Sequence, residues 1–409
     1  MNLAKKTVLI VDDFQNMRST LRQMLMSIGF DHITPVATGE DALAALRAKR
    51  FDIVVCDYNL GDGIDGQQLL DQARAEGLIN LATVFVMVTA ENSNEMVMGA
   101  LEFTPDAYVS KPFTKDLLRA RLGRALRRRE PLGPVARALS TQGPRGALEV
   151  LDALLGENPP NRLELLNIRA ELALSAGDLD GAEAACTQAM AERPLAWALT
   201  RRGQVMDARG DAAAAEALYR ESIALTPHYM AAHDRLAALC EQQNRSSEAL
   251  DILVAALERS PKSLRRQRAL ARLAMRLHRY ELAEPAWRRA IQIAAQMGLP
   301  DPADYLALIK ALAARGDMRE AQRRLKSMSR NCADDPQLGY WELAGKMLCL
   351  APSDGTGQNV LLGELDALLG KAPVPKRVGA ALAEAVDAIG ELGRYPALAA
   401  ARTAETTYE

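Results

Sequence analysis

Two stretches decide the fold: TVLIVDD at residues 7–13 and DIVVCDYN at residues 52–59. Each is an unbroken apolar, β-branched run that stops on acid: Asp12 and Asp13 after the first, Asp57 after the second. Such runs, without polar alternation, are what a parallel sheet buried on both faces requires. Further runs at 84–88 and 107–109, and a weaker one at 33–36, make five strands. Helix-period segments near 16–28, 39–49, 66–76, 94–102 and 114–128 separate or follow them. Strands alternating with helices in this way predict an α/β doubly wound, five-stranded parallel sheet with right-handed crossovers. Its site is expected beyond the carboxyl ends of the strands.

The residues at those ends are chemically pointed. Asp12, Asp13 and Asp57 would converge, and like charges packed so closely are costly unless a cation joins them. An all-oxygen set suits Mg²⁺, which takes one or two carboxylates together with a phosphate oxygen. Thr89 closes the fourth run, and Lys111-Pro112 follows the fifth, so a hydroxyl and an ammonium reach the same rim.

Acids after the first and third strands, a hydroxyl after the fourth and a Lys-Pro after the fifth strongly resemble the receiver domain of two-component response regulators, over about 125 residues. The resemblance implies a flavodoxin-like fold and a protein phosphorylated by a sensor histidine kinase or phosphotransfer protein. It makes Asp57 the phosphoacceptor, a carboxylate nucleophile that forms an acyl phosphate. Asp12 and Asp13 would hold Mg²⁺ with Asp57 and the backbone carbonyl of Asn59. Lys111, joined to Pro112 by an expected cis bond, would balance charge on the Asp57 carboxylate and then on the phosphoryl oxygens. Thr89 would bond a phosphoryl oxygen, and Tyr108 would swing inward in concert with it. Positioning and neutralisation are what phosphoryl transfer demands. The loop YNLGDGIDG at 58–66 departs from the family, which usually carries Met-Pro and fewer glycines there.

Beyond about residue 145 the strand signals stop. Pro194, Pro227 and Pro261 recur at intervals of about 34 residues. Small residues fall at matching offsets: Ala182, Ala215 and Ala249, then Ala189, Ser222 and Ala256. Gly177-Asp178, Gly210-Asp211 and Gly316-Asp317 mark turns, and Ala283, Trp287, Ala290 and Ala321 extend the register. Small residues allow helices to approach, glycine allows the turn and proline ends the second helix. The pattern resembles tetratricopeptide repeats, which implies a stacked all-α superhelix that binds protein. The domains expected are a receiver at 1–125, a linker helix and loop at 126–146, repeats at 147–336 and C-terminal helices at 337–409 that cap the superhelix, interrupted by a loop at 353–358. The first helix of each repeat would line a groove including Glu164, Asn167, Trp197, Thr200, Gln204, Asp234, Arg265, Arg268, Arg272 and Arg276. The four arginines share one helix face, suited to an acidic peptide.

Composition narrows the classes. The 409 residues exceed one ordinary core. A formal charge of −2 gives no reason to expect nucleic acid as partner. The Arg-rich segment from Arg119 to Arg129 reads as a solvated helix face. Cys56, Cys186, Cys240, Cys332 and Cys349 are scattered, neither a disulfide framework nor a zinc site, and read as reduced, mostly core thiols. His228, His233 and His278 form no metal motif and read as surface or packing residues. No stretch is long and apolar enough to span a bilayer, so a cytoplasmic protein is expected. The reading is a regulator that signals by protein–protein interaction, not a separate enzyme, with a phosphorylation-dependent homodimer as one form of output. Its alternatives are a constitutive repeat scaffold with a vestigial receiver, and a DNA-binding transcriptional regulator.

Overall fold

The computed structural model of the chain describes residues 2–61, 63–90, 105–191, 193–351, 354–370 and 374–405. The helix expected near 94–102 lies outside them. Five parallel strands, β1 (Thr7–Val11), β2 (His32–Val36), β3 (Ile53–Asp57), β4 (Val84–Thr89) and β5 (Ala107–Ser110), form one sheet in the order β2-β1-β3-β4-β5. Helices α1 (Gln15–Ile28), α2 (Gly39–Ala48), α3 (Gly66–Ala75) and α4 (Lys115–Arg129) belong to the same domain. The unbroken apolar runs are the buried inner strands, where Val8, Ile10, Ile53, Val55, Val84 and Val86 have no exposed surface. β2 is the edge strand, half-exposed, and its register sets Pro35 opposite Ile10. An edge is where a strand proline is tolerated.

The glycines after β3 have defined duties. Gly61 and Gly63 adopt positive φ of 73° and 130°. At Gly66 a Cβ would stand 2.3 Å from the Asp57 carbonyl oxygen, so only glycine lets α3 start against the end of β3. Asp65 caps that helix by accepting from Gln68 N, and the Gln68 side chain accepts from Asp65 N. The end of the glycine-rich loop is therefore fixed to the helix it leads into.

The stretch 126–146 is almost wholly helical. α4 runs to Arg129, and α5 (Leu132–Gly156) begins directly after Pro131. The expected loop shrinks to a single break at Gly143, whose φ of 73° interrupts α5 just before Pro144. Proline is accepted in a first helical turn, so each breaker costs one junction and not a flexible segment.

Beyond it lie the helical hairpins α6 (Arg162–Ala176)/α7 (Leu179–Ala189), α8 (Ala196–Ala208)/α9 (Ala212–Leu225) and α10 (Met230–Gln242)/α11 (Ser246–Arg259). Then come α12 (Leu264–Arg276)/α13 (Tyr280–Gln296) and α14 (Pro302–Ala314)/α15 (Met318–Asn331). The chain divides into two compact units, Met1–Ser260 and Pro261–Glu409, at one of the recurring prolines. Ala182, Ala215, Ala249, Ala283 and Ala321 are all fully buried, at the offsets the sequence marked. Gly177, Gly210 and Gly316 turn with positive φ, and Asn244 and His278 take the same conformation at φ 61° and 54° in the two hairpins that lack Gly-Asp. Asp178, Asp211 and Asp317 then cap the following helix. The closing prolines are used as well: His233 Nε2 and Gln267 Nε2 each lie 3.0 Å from the carbonyl oxygen of Pro227 and Pro261 respectively.

The last helices are α16 (Leu338–Leu348), α17 (Gly355–Leu369), α18 (Lys376–Ala388) and α19 (Pro396–Glu405), around a core of Trp341, Met347, Leu365, Leu382 and Val386. The loop expected at 353–358 is corrected here. α17 begins at Gly355, because Asp354 accepts from Gly357 N and caps it; Ser353 lies outside the described residues. Glycines in the first turn disguised a helix start that its aspartate determines.

Candidate functional site

Parallel pairing of β1 with β3 in register, Val11 beside Cys56, brings their carboxyl ends together. Asp12, Asp13 and Asp57 each offer an oxygen within 4.8 Å of the others. Asp12 is fully buried and Asp57 nearly so. Lys111, carried just beyond β5, places Nζ 2.8 Å from Asp57 Oδ2 and 3.1 Å from Asp12 Oδ2. Its bond to Pro112 is cis. Thr89 is buried at the end of β4, and its carbonyl accepts from Lys111 N at 2.7 Å. Four strand ends thus deliver the expected set to one rim. Asn59 is exposed on the loop beyond Asp57, and Tyr108 is half-buried on β5.

The electrostatics follow from this crowding. Burial raises the Asp57 carboxyl above its usual range; Lys111 opposes the shift and Asp12 adds to it. Burial alone would lower the Lys111 ammonium, but its hydrogen bonds to Asp57 and Asp12 leave it raised. Burial pushes the Tyr108 phenol up to about 12, with Tyr58 and Asp71 adding. Burial also raises the Cys56 thiol, beside Asp57.

The residues fit a divalent cation. Asp13 Oδ1 is buried without a hydrogen-bond partner, a costly state that a cation would relieve. The donor set is oxygen only, as hard cations prefer.

Several supporting groups carried no signal in the sequence. Arg18, one turn into α1, donates to the carbonyls of Asp12 and Asp13 at 2.7 and 2.9 Å and fixes the acidic turn. Phe14 N donates to Asp12 Oδ1 at 2.9 Å, and Cys56 Sγ lies 3.1 Å from the Asp57 carbonyl. Only the closed turn reveals these partners.

The groove residues are not one set. Glu164 is engaged by Arg128 and Arg129 at 3.1 and 3.3 Å. Those two arginines are therefore ion-paired and not merely solvated, although Arg119, Arg121, Arg124 and Arg127 are not drawn into that network. Thr200 is buried and donates to Ser222 Oγ, so it packs a hairpin and does not line a groove. Trp197 packs against the first unit's core. In the second unit Arg268 donates to Asp304 at 2.7–3.0 Å. Burial raises Asp304, and Arg268 opposes it. Arg268 and Arg272 line a cleft of about 380 Å³ with Trp287, Asp301, Ala380 and Glu384.

The doubly wound sheet with acids and a lysine at its strand ends defines the class of the N-terminal domain. A family model described as the response regulator receiver domain matches residues 8–123. The chemotaxis protein CheY of Pseudomonas aeruginosa is 34% identical over 121 residues, covering 30% of this chain and 96% of that protein. CheY-3 of Vibrio cholerae is 35% identical, covering 30% and 92%. Among solved structures, the chemotaxis response regulator CheY4 of Vibrio cholerae matches with a TM-score of 0.28 and 27% identity, over 30% of this chain and 98% of that one. Through its N-terminal domain the chain belongs to the response regulator receiver family. The matched segment ends within α4, before α5 and the helical hairpins begin. Among the described residues no helix is long and apolar enough to cross a membrane.

Proposed function

We propose that the chain is a phosphorylation-controlled adaptor, receiving a phosphoryl group on Asp57 and signalling through protein contacts of a tetratricopeptide-like superhelix. The observation that carries this is the Lys111 ammonium bridging Asp57 and Asp12 beside the unpartnered Asp13 oxygen. It supports a pocket built for a cation and a phosphoryl group together. The donor is a phosphohistidine of a sensor kinase or phosphotransfer protein. An Asp57 carboxylate oxygen attacks phosphorus, and the bond to the donor's imidazole nitrogen breaks with its electron pair leaving on that nitrogen. Asp12, Asp13, Asp57 and the Asn59 carbonyl would hold Mg²⁺, which would supply charge neutralisation to the phosphoryl oxygens. Lys111 adds a second cation, and the buried Thr89 stands on the rim to bond a third oxygen. Tyr108 shares β5 with the approach to Lys111 and follows Thr89 inward. The output half carries no catalytic assignment.

Incubation with a small acyl-phosphate donor and Mg²⁺ is expected to label Asp57, seen as an added phosphate by mass spectrometry. Asp57→Ala is expected to abolish the label. Unlabelled wild-type protein would sink the reading and leave a constitutive scaffold. Size-exclusion of the labelled protein reads the homodimer.

A further inference from the structure

The floor of the sheet, at the amino ends of its strands, is joined to the helical region by a four-residue charge network. Asp106 stands directly before β5, and its side chain is fully buried. Its Oδ2 accepts from Phe85 N at 2.8 Å, and its Oδ1 accepts from Arg128 at 3.0 Å and Arg129 at 2.6 Å. The same two guanidinium groups reach Glu164 of α6 at 3.1 and 3.3 Å. Arg129 also donates to the Leu81 carbonyl, and Asn161, the residue before α6, donates to the Arg128 carbonyl, both at 3.3 Å. Leu81 packs against the helical core that contains Leu132 and Val135. Arg74, at the end of α3, lies in the field of Asp106, Arg129 and Glu171.

A buried carboxylate gripping two arginines leaves them little freedom, so a second carboxylate facing both is held without much further ordering cost. Asp106 is also bonded to the backbone of β4 and leads into the strand that carries Tyr108. We propose that Asp106, Arg128, Arg129 and Glu164 clamp the receiver floor and α6 into one cooperative unit, and that this clamp is the route by which a change at β5 reaches the first helical hairpin. The second half rests on Asp57 being the phosphoacceptor; the first half does not.

Hydrogen exchange of the full chain tests both. In Glu164→Arg, amide protection is expected to fall about tenfold at residues 105–110 and 125–130 as well as in α6. Asp180→Arg, whose partner Arg209 lies within the helical region, is expected to leave 105–110 unchanged. Protection at 105–110 and 125–130 staying within about twofold, while α6 alone loosens, would overturn the clamp. If Glu164→Arg unfolds the hairpins, Glu164→Gln keeps the shape, removes the charge and gives the same test at lower amplitude. Adding Mg²⁺ and beryllofluoride, a phosphoryl mimic, reads the route. Altered exchange in β4 with matching change in α6, lost in the Glu164 variant, supports it. Altered β4 with an unchanged α6 overturns it. An unchanged β4 refutes the phosphoacceptor reading instead, and the clamp is then judged on the first comparison.

Discussion

The receiver and the helical region fill their interiors with different residues. Between the sheet and its helices lie Leu21, Leu25, Phe30, Ile53, Val86 and Leu122, all within 1% of full burial. Between helices the repeating buried positions include Ala182, Ala215, Ala249, Ala283 and Ala321, each with no exposure. The helical region also buries large side chains, Tyr219 and Trp341 among them, so the contrast lies at these particular contacts: volume in the receiver, smallness where two helices meet most closely. The two should fail under opposite substitutions.

That contrast gives the largest expected effects. Leu25→Ala in the receiver leaves a cavity and is expected to cost about 2–5 kcal/mol. Ala249→Leu between α10 and α11 overpacks a close contact and is expected to cost about 1–3 kcal/mol. The converse changes to exposed residues on the same helices should be nearly silent. Denaturant midpoints of the full chain, read by local exchange probes, check both. Equal tolerance of Ala249→Leu and an exposed control would break the comparison.

Next in size is the cation. At a Mg²⁺ concentration of about 100 times its dissociation constant, a site present only in the folded state adds about 2.7 kcal/mol. The added protection is expected in β1, β3 and β4 and not in α14 or α15, and Asp13→Asn is expected to remove it. Mg²⁺ raising protection equally in α14 would show that the ion acts elsewhere.

How far each half was legible in the sequence follows from the same difference. The receiver concentrates its meaning in single residues at strand ends, where a parallel sheet must bring them together. Asp12, Asp57, Thr89 and Lys111 are therefore legible from the order of runs and acids alone. Arg18 is not, because its target is a pair of backbone carbonyls that exist as a site only after the turn closes. The helical region spreads its meaning over a period, so the buried alanines and glycine turns were readable. Partners across the period were not. Glu164 sits at a groove offset yet belongs to the receiver's arginines, and Thr200 at a like offset is buried against Ser222. Periodicity assigns a helix its inner and outer faces but says nothing of which neighbour arrives at a given outer position.

The turns sharpen the comparison at about 1 kcal/mol. Gly210 has a φ of 84° with open space around its missing Cβ, so Gly210→Ala meets backbone strain and no clash. A cost of about 1–2 kcal/mol is expected, since an L-residue pays that much for the left-handed region. Asn244 already occupies the equivalent turn, and Asn244→Gly should change stability by less than Gly210→Ala does. A Gly210→Ala protein as stable as wild type would mean that the turn relaxes freely.

The smallest effect belongs to the surface of the hairpins. Arg245 and Arg220 reach Glu216 at 2.5 and 2.8 Å, and their hydrogen bonds hold its carboxyl down at about 2. A carboxyl depressed on folding stabilises above its unfolded pKa of about 4.3, and loses that contribution as pH falls toward the folded value. Glu216 keeps 21% of its side-chain exposure, and water and salt screen the pairs, so about 0.5–1 kcal/mol is the expected size, well below what the shift itself implies. Melts of wild type and Glu216→Gln should differ by that amount at neutral pH, draw together below pH ~4 and converge only near pH ~2. The same gap should shrink in about 1 M salt, where the screening length is only ~3 Å. The Asp106 end of the clamp should resist that salt, because its side chain has no exposed surface, whereas the Glu164 end, 25% exposed, should be screened much as Glu216 is. A Glu216 gap unaffected by salt or acid would place the hairpin surface with the buried network, and the distinction between solvated and sealed charge would fail.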